Sequence, residues 1–487
     1  MKRISVFALA LLLLLSSVLA SCGGGAAETE TQAADPAQTE ETEPVDTGWH
    51  AFDNLPEKDW GGRTYTILSR DYEADQFYAE ELTGETFNDA VFARNQAVET
   101  EYNIKIAVPT CDGSWGNRDI YLGDIRASIQ AADGAWDLVD GYAAIIGSLV
   151  MEGCYYRLND VPYLEPTAKW WSVSAVEDLS INGQVYLTPG DLSMSLYDNI
   201  FAIYYNQRLF EECGLGDPYP TVLEGKWTYD LYHSVAAACL KDVDGNGKYD
   251  KADQFGILLD EDLVFNNFHY AFQIPITVKD ENGFPVLNLG HESVAGLVET
   301  MYTLAYETPG TFFTKDDSAL ARSMFMNGQG AMDHALLNAA SEYRDMEDNF
   351  GILPYPKADE TQDGYYTTFR DNAILFGMPG DVKDVEFTGL ISEALCQASY
   401  EMVKPIYYET VLKTKLTRDE ESQQIIDILR DGLILDPGAV FAIQLERAGF
   451  LTRDCVYHKK SYASYYKSKQ KVFEEALSNY ISHFVEE

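Results

Sequence analysis

The sequence predicts an α/β protein of two lobes, each a mostly parallel sheet flanked by helices, with hinge strands joining them. Three observations carry this reading. At 487 residues the chain exceeds the size at which one hydrophobic core stops growing, so two packed units are expected. From Thr64 to Asp140 the apolar pattern runs strand, helix, strand, helix, strand, the order of a parallel sheet covered by helices. Two separate polar and aromatic stretches then lead into fully apolar strands, as a chain crossing between two lobes would.

The first residues are the most specific part of the sequence. Lys2 and Arg3, an apolar run from Ile4 to Leu15 and then Leu19-Ala20-Ser21-Cys22 make a secretory signal of the bacterial lipoprotein kind. Residues 1–21 are expected to be removed and Cys22 lipidated. Residues 22–48, rich in Gly, Ala, Thr and Glu and free of basic residues, lack the hydrophobicity to fold and read as a disordered acidic tether. No later apolar run is long enough to span a bilayer. A body anchored by lipid at the extracellular face of the cell membrane is therefore expected. The net charge of -43 argues against nucleic acid as a partner, since that needs a basic patch. Cys111, Cys154, Cys213, Cys239, Cys396 and Cys455 are even in number, which permits disulfides in an exported protein, but they form no CxxC pair and read rather as buried free thiols of a monomer that needs no staples.

The body takes its elements in order. Thr64–Leu68 alternates after the turn Gly61-Gly62 and is a first strand, with polar Ser69, Arg70, Asp71 and Tyr72 behind it. Phe87, Val91, Phe92, Val98 and Tyr102 share a helical face, Ile104–Val108 is a strand, Ile120–Ala132 a helix, and Asp137–Val139 a strand ending in Asp140-Gly141-Tyr142. Ligands of such sheets sit beyond the carboxyl ends of strands, where Arg70, Asp71 and Tyr142 fall. Trp170-Trp171 reads either as a helix anchor in the core or, through Trp171, as a stacking platform. Ile181–Tyr186 is a hairpin on an Asn-Gly turn.

The stretch Leu187–Phe210 organises the rest. Ile200–Tyr205 is apolar or aromatic at odd and even positions alike, a strand buried on both faces. Turn formers and then Tyr197, Asp198 and Asn199 lead into it, and Asn206 is placed to cap the helix that follows. Thr228 is expected to cap a helix running to Leu240. Val294, Leu297, Val298, Met301, Tyr302 and Ala305 make a helical stripe; Phe325–Met332 reads as helix end, turn and strand. Phe350–Pro356 is a strand closed by prolines, and Tyr365–Asn372 repeats the polar, aromatic approach before the strand Ala373–Phe376. Tyr462–Phe484 is an amphipathic helix. The expected boundaries are 49–195 plus 368–405 for one lobe and 196–367 plus 406–487 for the other.

Asp242-Val243-Asp244-Gly245-Asn246-Gly247-Lys248-Tyr249-Asp250-Lys251-Ala252-Asp253 has the spacing of a twelve-residue calcium loop. Asp242, Asp244 and Asn246 would ligate by side chain, Lys248 by its carbonyl, Asp250 through water and Asp253 by both oxygens, with glycine at position six. Aspartate at position twelve fits the dockerin-like version of the loop. The expected role of the Ca2+ is structural.

No GxSxG, HExxH, P-loop or GxGxxG occurs. The abundance of aromatics beside Asp, Asn and Arg suits sugar rings, whose CH faces stack while their hydroxyls need partners. Taken together, Arg94 with Glu99, Tyr102, Asn103 and Ile104, Asp137–Asp140, Tyr204-Tyr205-Asn206, Trp227–Asp230 running into the acidic loop, Phe325–Met332, Phe350–Lys357, Tyr407-Tyr408 and Arg418–Ser422 resemble the extracellular solute-binding proteins (family 1) of bacterial carbohydrate ABC transporters, from about Trp60 to the C-terminus. The resemblance implies the two-lobed periplasmic-binding-protein fold of type II, no catalysis, capture of an oligosaccharide, and delivery to permease subunits of an ABC transporter. With no invariant binding motif in that family, the candidate contacts rest on position: Arg70, Asp71, Tyr142, Tyr197, Asp198, Asp333, His334, Tyr366 and Arg370, with Trp171 as a platform. A peptide or other solute receptor of the same fold, a lipid-anchored glycan-processing enzyme and a sensor or adhesion lipoprotein are the alternatives.

Overall fold

A computed structural model describes residues 51–260, 264–409 and 420–485. The signal segment, Cys22 and the tether lie outside the described residues, as do Arg418 and Asp419 of the resemblance. In chain order the strands are β1 (Arg63–Arg70), β2 (Ile104–Ala107), β3 (Thr110–Cys111), β4 (Leu138–Tyr142), β5 (Phe201–Asn206), β6 (Phe255–Leu259), β7 (Thr277–Lys279), β8 (Pro285–Leu287), β9 (Thr311–Phe313), β10 (Gly330–Leu336), β11 (Phe350–Leu353) and β12 (Ile374–Gly377).

They form two main sheets and the small β7-β8 pair. The first sheet runs β12-β4-β1-β2, with β3 beside the carboxyl end of β1. β1 is parallel to β2 and β4; β12 lies antiparallel on β4 with Ile374 opposite Tyr142. The helices Thr86–Tyr102, Arg118–Ala131 and Val385–Ala398 belong to this lobe. The second sheet runs β11-β5-β10-β6-β9 and is more mixed: β10 pairs parallel with β6 but antiparallel with β5, and β11 is antiparallel to β5. Strand β5 enters from the other lobe, so its direction follows the crossing chain rather than a βαβ turn.

Local chemistry fixes the joints. All six residues of β5 are buried, and the Asn206 side chain accepts from Leu209 N at 3.0 Å to cap the next helix. Asn182 and Gly183 both take positive φ in the tight turn that bridges Ile181 to Gln184. The helix after Thr228 spans Tyr229–Ala238, and Thr228 makes no side-chain cap; its backbone instead bridges to Lys357, whose carbonyl accepts from Tyr229 N at 2.8 Å. The six described cysteines are free thiols, four of them buried.

The two approach stretches do run together between the sheets. Thr188 bridges Phe376 and Ile200 bridges Phe369, both antiparallel. A third passage, absent from the sequence reading, lies beside them: Thr367 bridges Leu433 in parallel, Ile434 N donates to Thr367 O at 2.9 Å, and Thr368 Oγ1 donates to Ile434 O at 2.7 Å.

Candidate functional site

Between the sheets lies a cavity of about 440 Å³ lined by residues of both lobes. From the first lobe come Trp115, on the loop after β3, and Tyr142, at the carboxyl end of β4. Phe201, the first residue of β5, and Asn266 and Tyr270, beyond β6, come from the second. Thr368–Asp371 crosses beneath, and the segment from Ala439 to Arg453 closes the remaining side with Arg447, Phe450 and Arg453.

The walls alternate flat apolar faces with polar groups. The Trp115 and Tyr142 rings stand 5.8 Å apart at 46°, and Trp115 is 45% exposed, a large face for an indole to leave in water. Arg118 covers the Trp115 ring at 4.5 Å. Phe450 carries Arg447 at 4.7 Å and Arg453 at 4.6 Å from its ring centroid. The Tyr142 hydroxyl donates to Asp371 Oδ1 at 3.4 Å, and burial, with the charge of Asp371, pushes that phenol up. Asn266 Oδ1 is buried without a hydrogen-bond partner, an acceptor held ready beside the cavity.

Behind this wall sits a buried charge network. Arg70 Nε donates to Asp140 Oδ1 at 2.8 Å, and Nη1 donates to the Tyr72 hydroxyl at 2.9 Å and to Asn372 O at 3.2 Å. Glu73 lies 3.5 Å from Nη2, and burial raises its carboxyl to about 7 against the opposing pull of Arg70. Arg70 thus stiffens the carboxyl ends of β1 and β4 and carries the Tyr142 ring at 5.6 Å.

The expected contacts divide. Tyr142 and Arg370 line the cavity. Arg70 is fully buried one layer back, and Asp71 is exposed at the start of a short 3-10 turn. Tyr197 is buried with its hydroxyl on Asp191 Oδ1 at 3.3 Å, and Asp198 accepts from the Tyr407 hydroxyl; both pack between crossing chain and the helical layer. Tyr366 donates to Asp363 Oδ1 at 3.0 Å outside the cavity.

Three expectations are corrected. Asp333 and His334 do not follow a strand but sit within β10, opposite Tyr204 and Ile203. Asp333 accepts from the Tyr343 hydroxyl at 2.5 Å, and His334 holds the Tyr232 hydroxyl at 3.0 Å and Leu258 O at 2.9 Å. Burial lowers the imidazole to about 4, so it is a neutral core group. Trp171 is no stacking platform: its Nε1, like that of Trp170, donates to Glu393, at 2.6 and 2.7 Å. Its ring packs on Gly190, where an added Cβ would lie 2.7 Å from it.

Trp115, Asn266, Arg447, Phe450 and Arg453 were missed. The available signal was Arg447-Ala448-Gly449-Phe450 and Arg453, basic and aromatic residues in an acidic chain. A second cavity of about 470 Å³, lined by Tyr205, Phe210, Tyr219, Glu211, Asp217 and Glu421, joins no residue of the first sheet.

The acidic loop is held by hydrogen bonds from its own backbone to its carboxylates. Asp242 accepts from Gly245 N and Gly247 N at 2.7 and 2.8 Å, and Asp253, fully buried, accepts from Val243 N and Asp250 N at 2.8 and 2.9 Å. These backbone donors hold the Asp253 carboxyl low. Carboxylate oxygens of Asp242, Asp244 and Asp253 lie within 4.8 Å of one another, a spacing compatible with one hard cation. The Asn246 side chain and Asp250 sit on the same turn, Asn246 Oδ1 accepting from Lys248 N at 2.7 Å.

No protein-family model and no curated protein matches the sequence. Solved structures do. The chain is similar to the GacH receptor of Streptomyces glaucescens, seen unliganded and with acarbose (14% identity, TM-score 0.54, 85% of this chain and 99% of that one). It is similar to the maltose/maltodextrin-binding domain MalE of Bdellovibrio bacteriovorus bound to maltotriose (13%, TM-score 0.52, 85% and 100%). It is also similar to the ABC substrate-binding protein Lmo0181 of Listeria monocytogenes in complex with cycloalternan (14%, TM-score 0.54, 87% and 99%). The fold is accordingly the two-lobed periplasmic-binding-protein fold.

Proposed function

We propose that this protein is a solute receptor that captures a carbohydrate, an oligosaccharide, between its lobes and hands it to the permease of an ABC transporter. The observation that carries this is the interlobe cavity, whose Trp115, Tyr142, Phe369 and Phe450 rings alternate with Asn266, Asp371 and arginines. Rings of this kind stack on the CH faces of sugars while the polar groups meet hydroxyls. A glycoside hydrolase needs two facing carboxylates, and Asp371 is the single acid among the described lining residues. The likeness of fold to receptors whose structures hold acarbose, maltotriose and cycloalternan supports the same reading.

Two further parts belong to the proposal. Lipidation of Cys22 would hold the body at the extracellular face of the membrane, beside its transporter. A Ca2+ held by Asp242, Asp244, Asn246, the Lys248 carbonyl, Asp250 and Asp253 would pin the loop between Lys241 and Gln254 structurally, away from the cleft. Thermal melting of the mature protein against oligosaccharides and peptides tests the central claim. A ligand at a hundredfold its Kd adds about 2.7 kcal/mol to the closed state. A shift with a glycan that is recovered intact supports the receptor; breakdown of the glycan would identify an enzyme instead, and a shift with peptides alone would replace the ligand class.

A further inference from the structure

In a chain with 78 acidic and 35 basic residues, arginines are expected to be claimed by carboxylates. Arg63, Arg70, Arg126, Arg157, Arg208, Arg322 and Arg430 obey this, each holding an Asp or Glu. The cleft departs from the pattern. Among the described residues that line it, Arg370, Arg447 and Arg453 stand with one acid, Asp371, and among those residues neither Arg370 nor Arg447 makes an ion pair. Arg118 adds a fourth guanidinium on the outer face of Trp115, anchored through the Trp115 carbonyl rather than an acid.

The backbone at Arg447 sharpens the point. Glu446 and Arg447 take φ of 55° and 65°, two successive non-glycine residues in the left-handed region. Backbone strain of this kind is kept where it places a functional side chain. Here it sets the Arg447 guanidinium over Phe450 at the cleft, while its neighbour Glu446 forms no ion pair with it. A positive pocket within a strongly negative molecule focuses field lines and concentrates anions locally. The guanidinium fork matches a carboxylate or sulfate in two parallel hydrogen bonds, which a neutral hydroxyl does not reward to the same degree.

We infer that the glycan received in this cleft is anionic, bearing a uronate carboxylate or a sulfate that Arg370 and Arg447 meet while its ring stacks on the aromatic wall. This rests on the receptor reading and names its ligand class.

The test is calorimetric titration of the mature protein with four probes of one length: galacturonate trisaccharide, its carboxyl-reduced neutral counterpart, a sulfated galactose trisaccharide and a tripeptide. An acidic trisaccharide should bind at least about tenfold more tightly than the neutral one, the preference shrinking as NaCl is raised. The uronate and sulfate arms tell which anion is the source. Arg447→Gln and Arg370→Gln should each lower affinity for the acidic sugar about tenfold, with Arg447→Lys recovering part of it. Unchanged melting of the unliganded variants excludes a folding defect. If the neutral trisaccharide binds as tightly as the acidic ones, the anionic inference falls and the sugar receptor stands. Binding of the tripeptide alone, or of no probe, overturns both.

Discussion

Arg70 and Asp140 form an ion pair in which neither side chain reaches solvent, Nε donating to Oδ1 at 2.8 Å across the adjacent ends of β1 and β4. Asp140 Oδ2 also accepts from Ser69 Oγ and from the Arg70 amide, so the carboxylate ties two strands together. Asp140→Ala would leave the buried guanidinium with only the longer Glu73 contact, at a cost of about 3 kcal/mol. Urea unfolding should show that loss, and ligand affinity should fall with it, because Tyr142 rests on Arg70.

Stability should rise as pH falls from 7.5 toward 5. Burial raises Glu73 and Asp333 to about 7 and Asp191 and Asp198 to about 6. A carboxyl with a raised folded pKa binds its proton in the native state while the unfolded chain has already lost it, so stability declines as pH climbs from the unfolded value through the folded one. Each group contributes a slope of up to about 1.4 kcal/mol per pH unit. Denaturation midpoints between pH 5 and 7.5 check the sign, and Asp333→Asn should flatten the profile. A midpoint that rises with pH would contradict this assignment.

Chelation should lower the melting temperature by several degrees if the acidic loop holds calcium. Asp244→Ala is the informative variant: its side chain is exposed and, apart from the loop's own Asn246, holds nothing in the body. It should melt like the chelated protein and be indifferent to added Ca2+. Equal melting of the wild type with and without EGTA would discard the ion.

Trp115→Ala should weaken the captured sugar by about tenfold or more, the worth of one stacked ring, while leaving unliganded melting unchanged because that indole is half exposed. Trp171→Ala should do the reverse. It removes a buried ring and one donor to Glu393, a loss of about 3–5 kcal/mol, without touching the cleft.

The fold was legible because its signals are local. β5 is apolar on both faces, Asn206 caps, and the Asn182-Gly183 turn demands positive φ, so each could be placed from neighbours in sequence. The cleft was half legible. Tyr142 and Arg370 follow from strand ends and the crossing stretch. His334 misled because β10 runs on to Leu336, two residues past it, and no local cue separates a strand end from a strand middle where every residue is apolar or buried. Arg447 and Phe450 lie on a turn and a short 3-10 segment, Ala448–Phe450, with no strand or long-helix period to mark them, and only the tertiary fold brings them to the cavity beside Tyr142.

The pairing of β12 with β4 sets an order of assembly. β4 emerges early in synthesis, but the strand that covers its outer side, Ile374–Gly377, arrives only after the whole second sheet has been made. Until then the first lobe offers a bare strand edge, a template for sticking to other chains. Such distant pairings also slow folding. A nascent chain of this kind is a natural client for holding chaperones, and a truncation before residue 374 should yield aggregate rather than a free-standing first lobe.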